Sequence, residues 1–491
     1  MVPSVVVVVD PISTGGTVAF EAFKRGFAVI AVWCRELQED FRSHVPQCCK
    51  TEGFKLQAEV EEADSITATA AAVRKAAGDM PIAACIVGGE SGVTLADKLS
   101  LELGVLSNGI FPGGDRRNKS VQQQAVKAAG LRAVREACGK AWSEVEDFVK
   151  SEACPVVVKP VESCGSDGVK LCHTFEEARD HFRLLMESQR KVGAQGAAVL
   201  CQEFLKGTEY VVDHVSRNGN HKTVMVWVYD KRPTNGAAFV YWGMIPVDSQ
   251  SPEAKILIEY TRTVLDALKL DNGPTHGEVM MTASGPCLVE MNCRSHGWDG
   301  AWVPLSNLLC GYAQPAVALD SHVQPDKFEE LPAVMPSPFK ASGQAVMLVS
   351  YYSGTVRSAP GYEKMRKLRS FVALQTGYCP GSKVELTVDL FTAVGVLMLA
   401  NTDKRQLEQD LAEVRSMEKD GIFEFDEEVD PALYQPTPDT VAFADRRRAS
   451  SNMSNESLVG KRAAAPPPLL TMAAVFAAGI IVGLGLSKRF R

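Results

Sequence analysis

The chain predicts an α/β region followed by α+β regions, closed by a single apolar helix near its C-terminal end. Three observations carry this prediction. Strand-like and helix-like segments alternate over residues 1–115, the pattern of a small parallel sheet. Beyond residue 155, apolar-rich runs separated by short turns read as antiparallel strands with helices between them. Residues 469–486 carry no charge and precede Ser487-Lys488-Arg489-Phe490-Arg491, the short end of what spans a bilayer.

In the first region, residues 5–9 form a valine-rich strand, 15–25 a helix, 28–33 a second strand, 82–87 a third and 96–103 a helix. The loop from Asp10 to Gly16 is glycine-containing, but it lacks the GxGxxG spacing, and no acidic residue closes a convincing second strand. A dinucleotide site is therefore rejected. Helices follow at 118–130 and 143–151, a strand at 155–160, and a helix at 174–190 whose Thr174 and Glu177 form a capping pair. Strands are expected at 199–204, 209–216 and 222–229, helices at 252–268 and 307–319. A further β-rich part has strands at 345–351, 383–388 and 393–400 and a closing helix at 404–420. The expected division is 1–115, 116–335 and 336–426, then a polar, Pro-rich tether over 427–468 and the anchor at 469–486. Ser450 follows Arg446-Arg447-Arg448 as a candidate phosphorylation site on that tether.

A net charge of −7 and the lack of a basic stripe exclude a dedicated nucleic-acid binder. The 13 cysteines follow neither metal nor disulfide spacing, which points to buried free thiols in a reducing compartment. No secretory leader is expected, because the chain opens on a buried strand. The basic flank of the apolar segment points to a C-terminal anchor in an organelle outer membrane, with the globular part in the cytosol. Gly479 and Gly483 form a small-xxx-small pattern that permits a homodimer.

The most informative stretch runs from Thr275 to Arg294. Two apolar-rich runs flank Ala283-Ser284-Gly285-Pro286, a hairpin signal. Folding at Ser284 sets Glu278 roughly opposite Glu290, with Asn292 and Arg294 on the same face as Glu290. Like charges facing each other across strands are unfavourable. A row of Glu, Glu and Asn therefore asks for a cation, and hard oxygen ligands suit magnesium; a solvated polar face is the bland alternative. Lys159 ends an apolar strand, and the turn Ser163-Cys164-Gly165-Ser166-Asp167-Gly168 offers backbone N–H groups to phosphate oxygens. Read alone, that turn is equally a glycine-rich connection beside a snorkelling lysine. In the third element, Glu203, Phe204 and Leu205 are placed to meet an adenine edge and ring, and Glu209 to hold ribose hydroxyls.

Taken in order, these parts resemble the ATP-grasp superfamily over residues 5–425, most specifically from Lys159 to Arg294. Within it the chain is most similar to the L-amino-acid ligases and carnosine-synthase-like enzymes. Gly89-Glu90-Ser91-Gly92-Val93-Thr94-Leu95-Ala96-Asp97, Arg117-Asn118-Lys119-Ser120 and Thr387-Val388-Asp389-Leu390-Phe391 resemble segments of that group. The resemblance implies an ATP-grasp fold with a Rossmann-like first domain and a β-rich C-terminal subdomain. It implies that Lys119 and Lys159 contact the α- and β-phosphates, that residues 163–168 form a mobile phosphate loop, and that Glu203–Glu209 bind the nucleoside. It further implies that Glu278, Glu290 and Asn292 ligate two magnesium (or manganese) ions, that Arg294 steadies the transferring phosphoryl group, and that His276 acts near the metal or substrate.

Two departures stand on the substrate side: Cys293 where a proline is usual, and Ser295-His296-Gly297-Trp298-Asp299-Gly300 where relatives carry a glycine run. The implied activity is ATP-dependent joining of a carboxylate and an amine, such as two amino acids, through an acyl phosphate. Trp298, Asp299, Trp302 and Arg357 are candidate substrate contacts. Two other readings stand beside it: a biotin-carboxylase-like enzyme that activates bicarbonate, and a tethered nucleotide-binding protein without turnover.

Overall fold

The computed structural model describes residues 4–51, 53–161, 168–187, 198–390 and 392–426. The first sheet is parallel, in the order Ala58–Glu61, Ala28–Trp33, Val5–Val9, Ile82–Val87. Val5–Val9 lies in the interior and is buried at every position, which explains its unbroken valine run. The outer strand Ala58–Glu61 was not expected. It buries one residue, Val60, and exposes two glutamates, so it lacks an apolar signal. Gly15, in the loop rejected as a dinucleotide motif, lies against Gly88. A Cβ on Gly15 would come within 2.4 Å of the Gly88 Cα. That glycine serves a close backbone crossing.

Two antiparallel sheets follow. The smaller has the order Glu136–Gly139, Val199–Glu203, Val156–Pro160, Lys170–Cys172. Helices Trp142–Glu152 and Phe175–Glu187 cover one face of it with Val145, Val149, Phe182 and Leu185. The larger sheet has eight strands in the order Gly285–Asn292, Gly273–Thr282, Gly207–Arg217, Asn220–Thr234, Ala237–Pro246, Ser342–Leu348, Gly395–Asn401, Phe371–Gln375. Helix Pro252–Ala267, capped by Ser251, packs Leu257, Val264 and Leu265 onto it. The sheet spans the expected division at residue 335, because Ala237–Pro246 pairs with Ser342–Leu348, so strands expected in the C-terminal region extend the same sheet that carries the Thr275–Arg294 hairpin.

Several elements differ from expectation. The helix expected at 307–319 is two helices, Val303–Cys310 and Gln314–Val323, because Gly311 takes a left-handed φ of 90° and Pro315 opens the next helix. The strand expected at 383–388 shrinks to Lys383–Val384, in a separate three-stranded sheet with Gly354–Ser358 and Glu424–Phe425. Strand Ala237–Pro246 and helix Ile66–Ala77 were not foreseen. Every described cysteine is a free thiol; burial was expected throughout, but Cys138 and Cys379 are exposed and Cys48, Cys49 and Cys154 only partly buried. No helix among the described residues is long and apolar enough to cross a membrane. The expected anchor at 469–486, the tether and Ser450 lie outside the described residues.

Arg116 joins the first sheet's surroundings to the larger sheet. Its guanidinium pairs with Asp97 and donates to the carbonyls of Asn108, Gly109, Leu268 and Lys269, while the residue is 3% exposed. Removing one partner of such a buried network strands the other, at a cost of about 3–5 kcal/mol. Arg116→Ala should lower the urea-unfolding free energy by about that amount. Arg116→Lys should recover little of it, since one ammonium cannot fill five fork-shaped contacts. A wild-type denaturation midpoint in Arg116→Ala would refute this.

Candidate active site

The hairpin forms with Glu278 paired directly to Glu290 and His276 to Asn292. It reaches that register by a route the sequence did not disclose. The tight turn sets Thr282 against Gly285, and the ladder stays regular as far as Val279 and Leu288. Continued unchanged, it would face Glu278 with Val289 and send Glu290 to the other side of the sheet. A bulge between Glu278 and Val279 absorbs the extra residue and returns Glu290 to the face of Glu278. Glu278 and Asn292 are almost wholly buried, and Glu290 is 5% exposed.

Positive side chains surround these carboxylates. Lys119 Nζ lies 2.7 Å from Glu290 Oε1. Helix Lys119–Ala128, capped by Asn118, is anchored along the outer rim of the sheet. Gln122 donates to the Met291 carbonyl and accepts from its N–H, and Gln123 donates to the Leu288 carbonyl. The helix thus covers an edge strand and, in the same act, places Lys119 over Glu290. Lys159, in strand Val156–Pro160, is buried, and its ammonium pKa is pushed down to about 8 by burial and by nearby Lys119. Burial raises the Glu290 pKa against the pull of Lys119, and the Glu278 charge raises it further. Two carboxylates and an amide oxygen on one dry face, balanced by side-chain cations that can change partners, fit a hard divalent ion.

His276 and Arg294 complete the acidic face. His276 contacts Asp213 Oδ1 through Nδ1 at 2.9 Å and Glu278 Oε1 through Nε2 at 3.2 Å. Burial alone would discharge this ring, but the bonds to Asp213 and Glu278 hold its pKa up at about 9, so it is an imidazolium. Arg294 donates to Asn292 Oδ1 at 3.0 Å and to Glu90 Oε2 at 2.9 Å. Glu90 comes from the first region, so that region aims the arginine. Asp213, His276 and His296 hold ligand atoms within 4.8 Å of one another. Their contacts are at hydrogen-bond length, with both Nδ1 atoms 2.9 Å from the carboxylate, and they form a hydrogen-bonded triad.

The residues expected to meet the nucleoside also come together. Leu205 packs with Val134, Met280, Cys287 and Val289 into an apolar bed beside the glutamates, and Phe204 is half-buried next to it. Glu203 is tied down by Arg132 and Arg135, each at 2.7 Å. Its own N–H is given to the Arg135 carbonyl at 2.9 Å, so an adenine edge would be met by other groups of this segment. Gly207 is required where the chain passes the hairpin: a Cβ there would meet the Met281 carbonyl oxygen at 2.0 Å. Glu209 pairs with Lys231 at 2.6 Å, and burial raises its pKa to about 7; its Oε1 has no partner among the described residues. Gly168 is described, with its carbonyl 2.8 Å from His181 Nε2. Ser163, Gly165 and Ser166 lie outside the described residues.

Of the candidate substrate contacts, Trp298 and Trp302 gather near His296, while the Asp299 N–H donates to Ser13 Oγ at 3.2 Å. Arg357 is exposed and pairs with Glu424 on the three-stranded sheet. Sequence reasoning missed Asp213, Lys231, Tyr229, Tyr241 and the roles of Glu90 and His296. Alternation within one strand aligns Asp213 with Glu209, but its meeting with His276 depends on register between strands far apart in sequence.

An ATP-grasp domain family matches residues 152–301. Dapdiamide A synthase of Enterobacter agglomerans is 31% identical over 344 residues, covering 69% of this chain and 80% of that relative. Alanine–anticapsin ligase of Bacillus subtilis (strain 168) is 22% identical over 360 residues, covering 65% of this chain and 72% of that protein. The crystal structure of an L-amino acid ligase from Bacillus licheniformis shares the fold with a TM-score of 0.65 at 15% identity, covering 85% of this chain and 98% of that one. With the buried acidic hairpin, its two lysines and this extent of similarity, the chain belongs to the ATP-grasp carboxylate–amine ligases.

Proposed function

We propose that this protein joins a small carboxylate, such as an amino acid, to an amine, with ATP converted to ADP and phosphate. The observation that carries the reading is the buried pairing of Glu278 with Glu290 among Lys119, Lys159 and Arg294. A carboxylate has no good leaving group, and transfer of the γ-phosphoryl group supplies one as an acyl phosphate. Catalysis of that transfer is chiefly positioning and charge neutralisation. Lys119 and Lys159 bind the nucleotide's phosphates. Arg294, held by Glu90, meets the charge on the transferring group and then on the acyl phosphate. Val134, Leu205, Met280 and Val289 supply the adenine bed, and Glu209 the ribose contact. Glu278, Glu290 and Asn292 would hold magnesium or manganese, two ions in our reading, which supplies further positive charge at the phosphates. The amine then attacks the acyl carbon and phosphate departs.

The full chain incubated with ATP, magnesium and a panel of amino acids should release phosphate only when both a carboxylate and an amine are present. Phosphate release that depends on bicarbonate instead, or nucleotide binding without any turnover, would refute the ligase reading. Partners that merely orient a metal ligand contribute ~10–100-fold, so loss of a direct carboxylate should cost more. Glu290→Ala should reduce turnover on the order of 10³-fold, and a rate within about tenfold of wild type would overturn the metal assignment.

The uncharged stretch at 469–486 with its basic flank supports a further reading: a C-terminal anchor that leaves the catalytic part in the cytosol, with Gly479 and Gly483 available for homodimer contact. The full chain expressed in cells should resist extraction by alkaline carbonate, and a chain ending at Pro468 should be released. Equal release of both would dispose of the anchor.

A further inference from the structure

Asp213 is fully buried and accepts on both oxygens. His276 Nδ1 lies 2.9 Å from Oδ1, while His296 Nδ1 and Trp227 Nε1 lie 2.9 and 3.0 Å from Oδ2. Burial works against its charge, but the two imidazoles hold its carboxyl well below the usual carboxylate range. A carboxylate only accepts, so each Nδ1 carries a hydrogen. The two rings, with centroids 4.2 Å apart, then diverge. His276 donates from both nitrogens and serves as a counter-ion for Asp213 and Glu278. His296 has its hydrogen on Nδ1, which fixes the tautomer and leaves the lone pair on Nε2.

That lone pair is buried. His296 is 1% exposed, and its Nε2 has no hydrogen-bond partner among the described residues. The same holds for Trp298 Nε1, Tyr229 Oη and Tyr241 Oη. These rings form one cluster: Trp298 lies 6.2 Å from His296 and 6.3 Å from both tyrosines, and Trp302 lies 5.1 Å from His296. Buried polar atoms are nearly always satisfied, so four orphans on one cluster of rings point to a polar ligand. The backbone there is strained as well. Trp298 and Asp299 take φ of 60° and 50°, left-handed values that non-glycine residues hold at a cost and that cluster at ligand sites. Arg294 stands two residues before His296.

We propose that His296, aimed by Asp213, receives the proton of the amine nucleophile, an inference that rests on the ligase reading above. The amine nitrogen's lone pair forms the C–N bond to the acyl carbon. The bond from that carbon to the phosphate oxygen breaks, and its electron pair leaves with phosphate. The N–H proton passes to His296 Nε2 and returns to solvent after product release. The groups facing the ring are Asp213, His276 and Arg294. Burial pushes the His296 pKa down to about 4 against the pull of Asp213, so the ring meets the amine uncharged.

The test separates the two halves of the reaction in the full-length protein. Hydroxylamine is weakly basic, arrives unprotonated at neutral pH, and traps an acyl phosphate as a hydroxamate, its N–H proton going to solvent or the departing phosphate with no protein base required. The panel amino acids are strongly basic amines. In His296→Asn the side-chain amide keeps a donor for Asp213 and lacks the basic nitrogen. This variant should lose amide formation by about 10²–10⁴-fold, the usual share of a general base, while hydroxamate formation stays within about threefold of wild type. Preserved hydroxamate formation also shows that the variant is folded. A parallel fall of both products, or unchanged amide formation, would overturn the proposal. So would a wild-type protein that makes hydroxamate but no amide with any panel amine. Wild-type protein that makes neither product with any carboxylate would instead remove the ligase reading, and this proposal with it.

Discussion

Two carboxylates facing each other in a dry interior cannot stand alone. Glu278 and Glu290 are adjacent across the hairpin, and the surrounding architecture answers their charge. Lys119 is delivered by a helix laid along the sheet rim, Lys159 by the smaller sheet, and His276 by the next position on the same face. In water these charges would cost little. In a low-dielectric interior each must be paired or moved off its ordinary protonation, which is why Glu290, Lys159 and His276 all titrate away from their usual ranges.

The same demand explains features that otherwise look incidental. Gln122 and Gln123 spend their amides on the rim strand's backbone, which ties the lysine helix to the acidic strand itself. Glu90 reaches across from the first region to Arg294, so the parallel sheet contributes charge geometry as well as shape. Asp213 supports two imidazoles with different duties, one cationic and one neutral, because one has a second carboxylate within reach and the other has none at its Nε2 among the described residues.

Much of this could be read from the amino acids alone, for identifiable reasons. Glu278, Glu290, Asn292 and Arg294 were visible because period-two alternation within a single hairpin is a local property. Lys159 was visible because a lysine ending a valine strand is conspicuous. The bulge that makes the pairing work was not, since a spacing of 12 between the glutamates is reached from a tight turn only by absorbing one residue, and nothing in Val289 announces that. Asp213 was hidden for a different reason: its meeting with His276 is set by strand order in an eight-stranded sheet, and the Tyr229–Tyr241 pair was hidden because strand Ala237–Pro246 gave no clear signal. The helix expected across 307–319 failed at Gly311, where backbone freedom overrode apolar periodicity. The short outer strand Ala58–Glu61 was invisible because an edge needs little burial.

Glu203 ties together two points distant in the chain. The chain enters the smaller sheet just after Arg132 and Arg135 and leaves it at Glu203, and that one carboxylate grips both arginines. Entry and exit are therefore pinned at a common point, while the eight-stranded sheet is continuous on the other side. Lys159 lies toward the other end of the smaller sheet, paired with Leu200, while the apolar bed around Leu205 sits beside the clasp. The apolar bed and the buried lysine are thereby held at different distances from a single point of attachment.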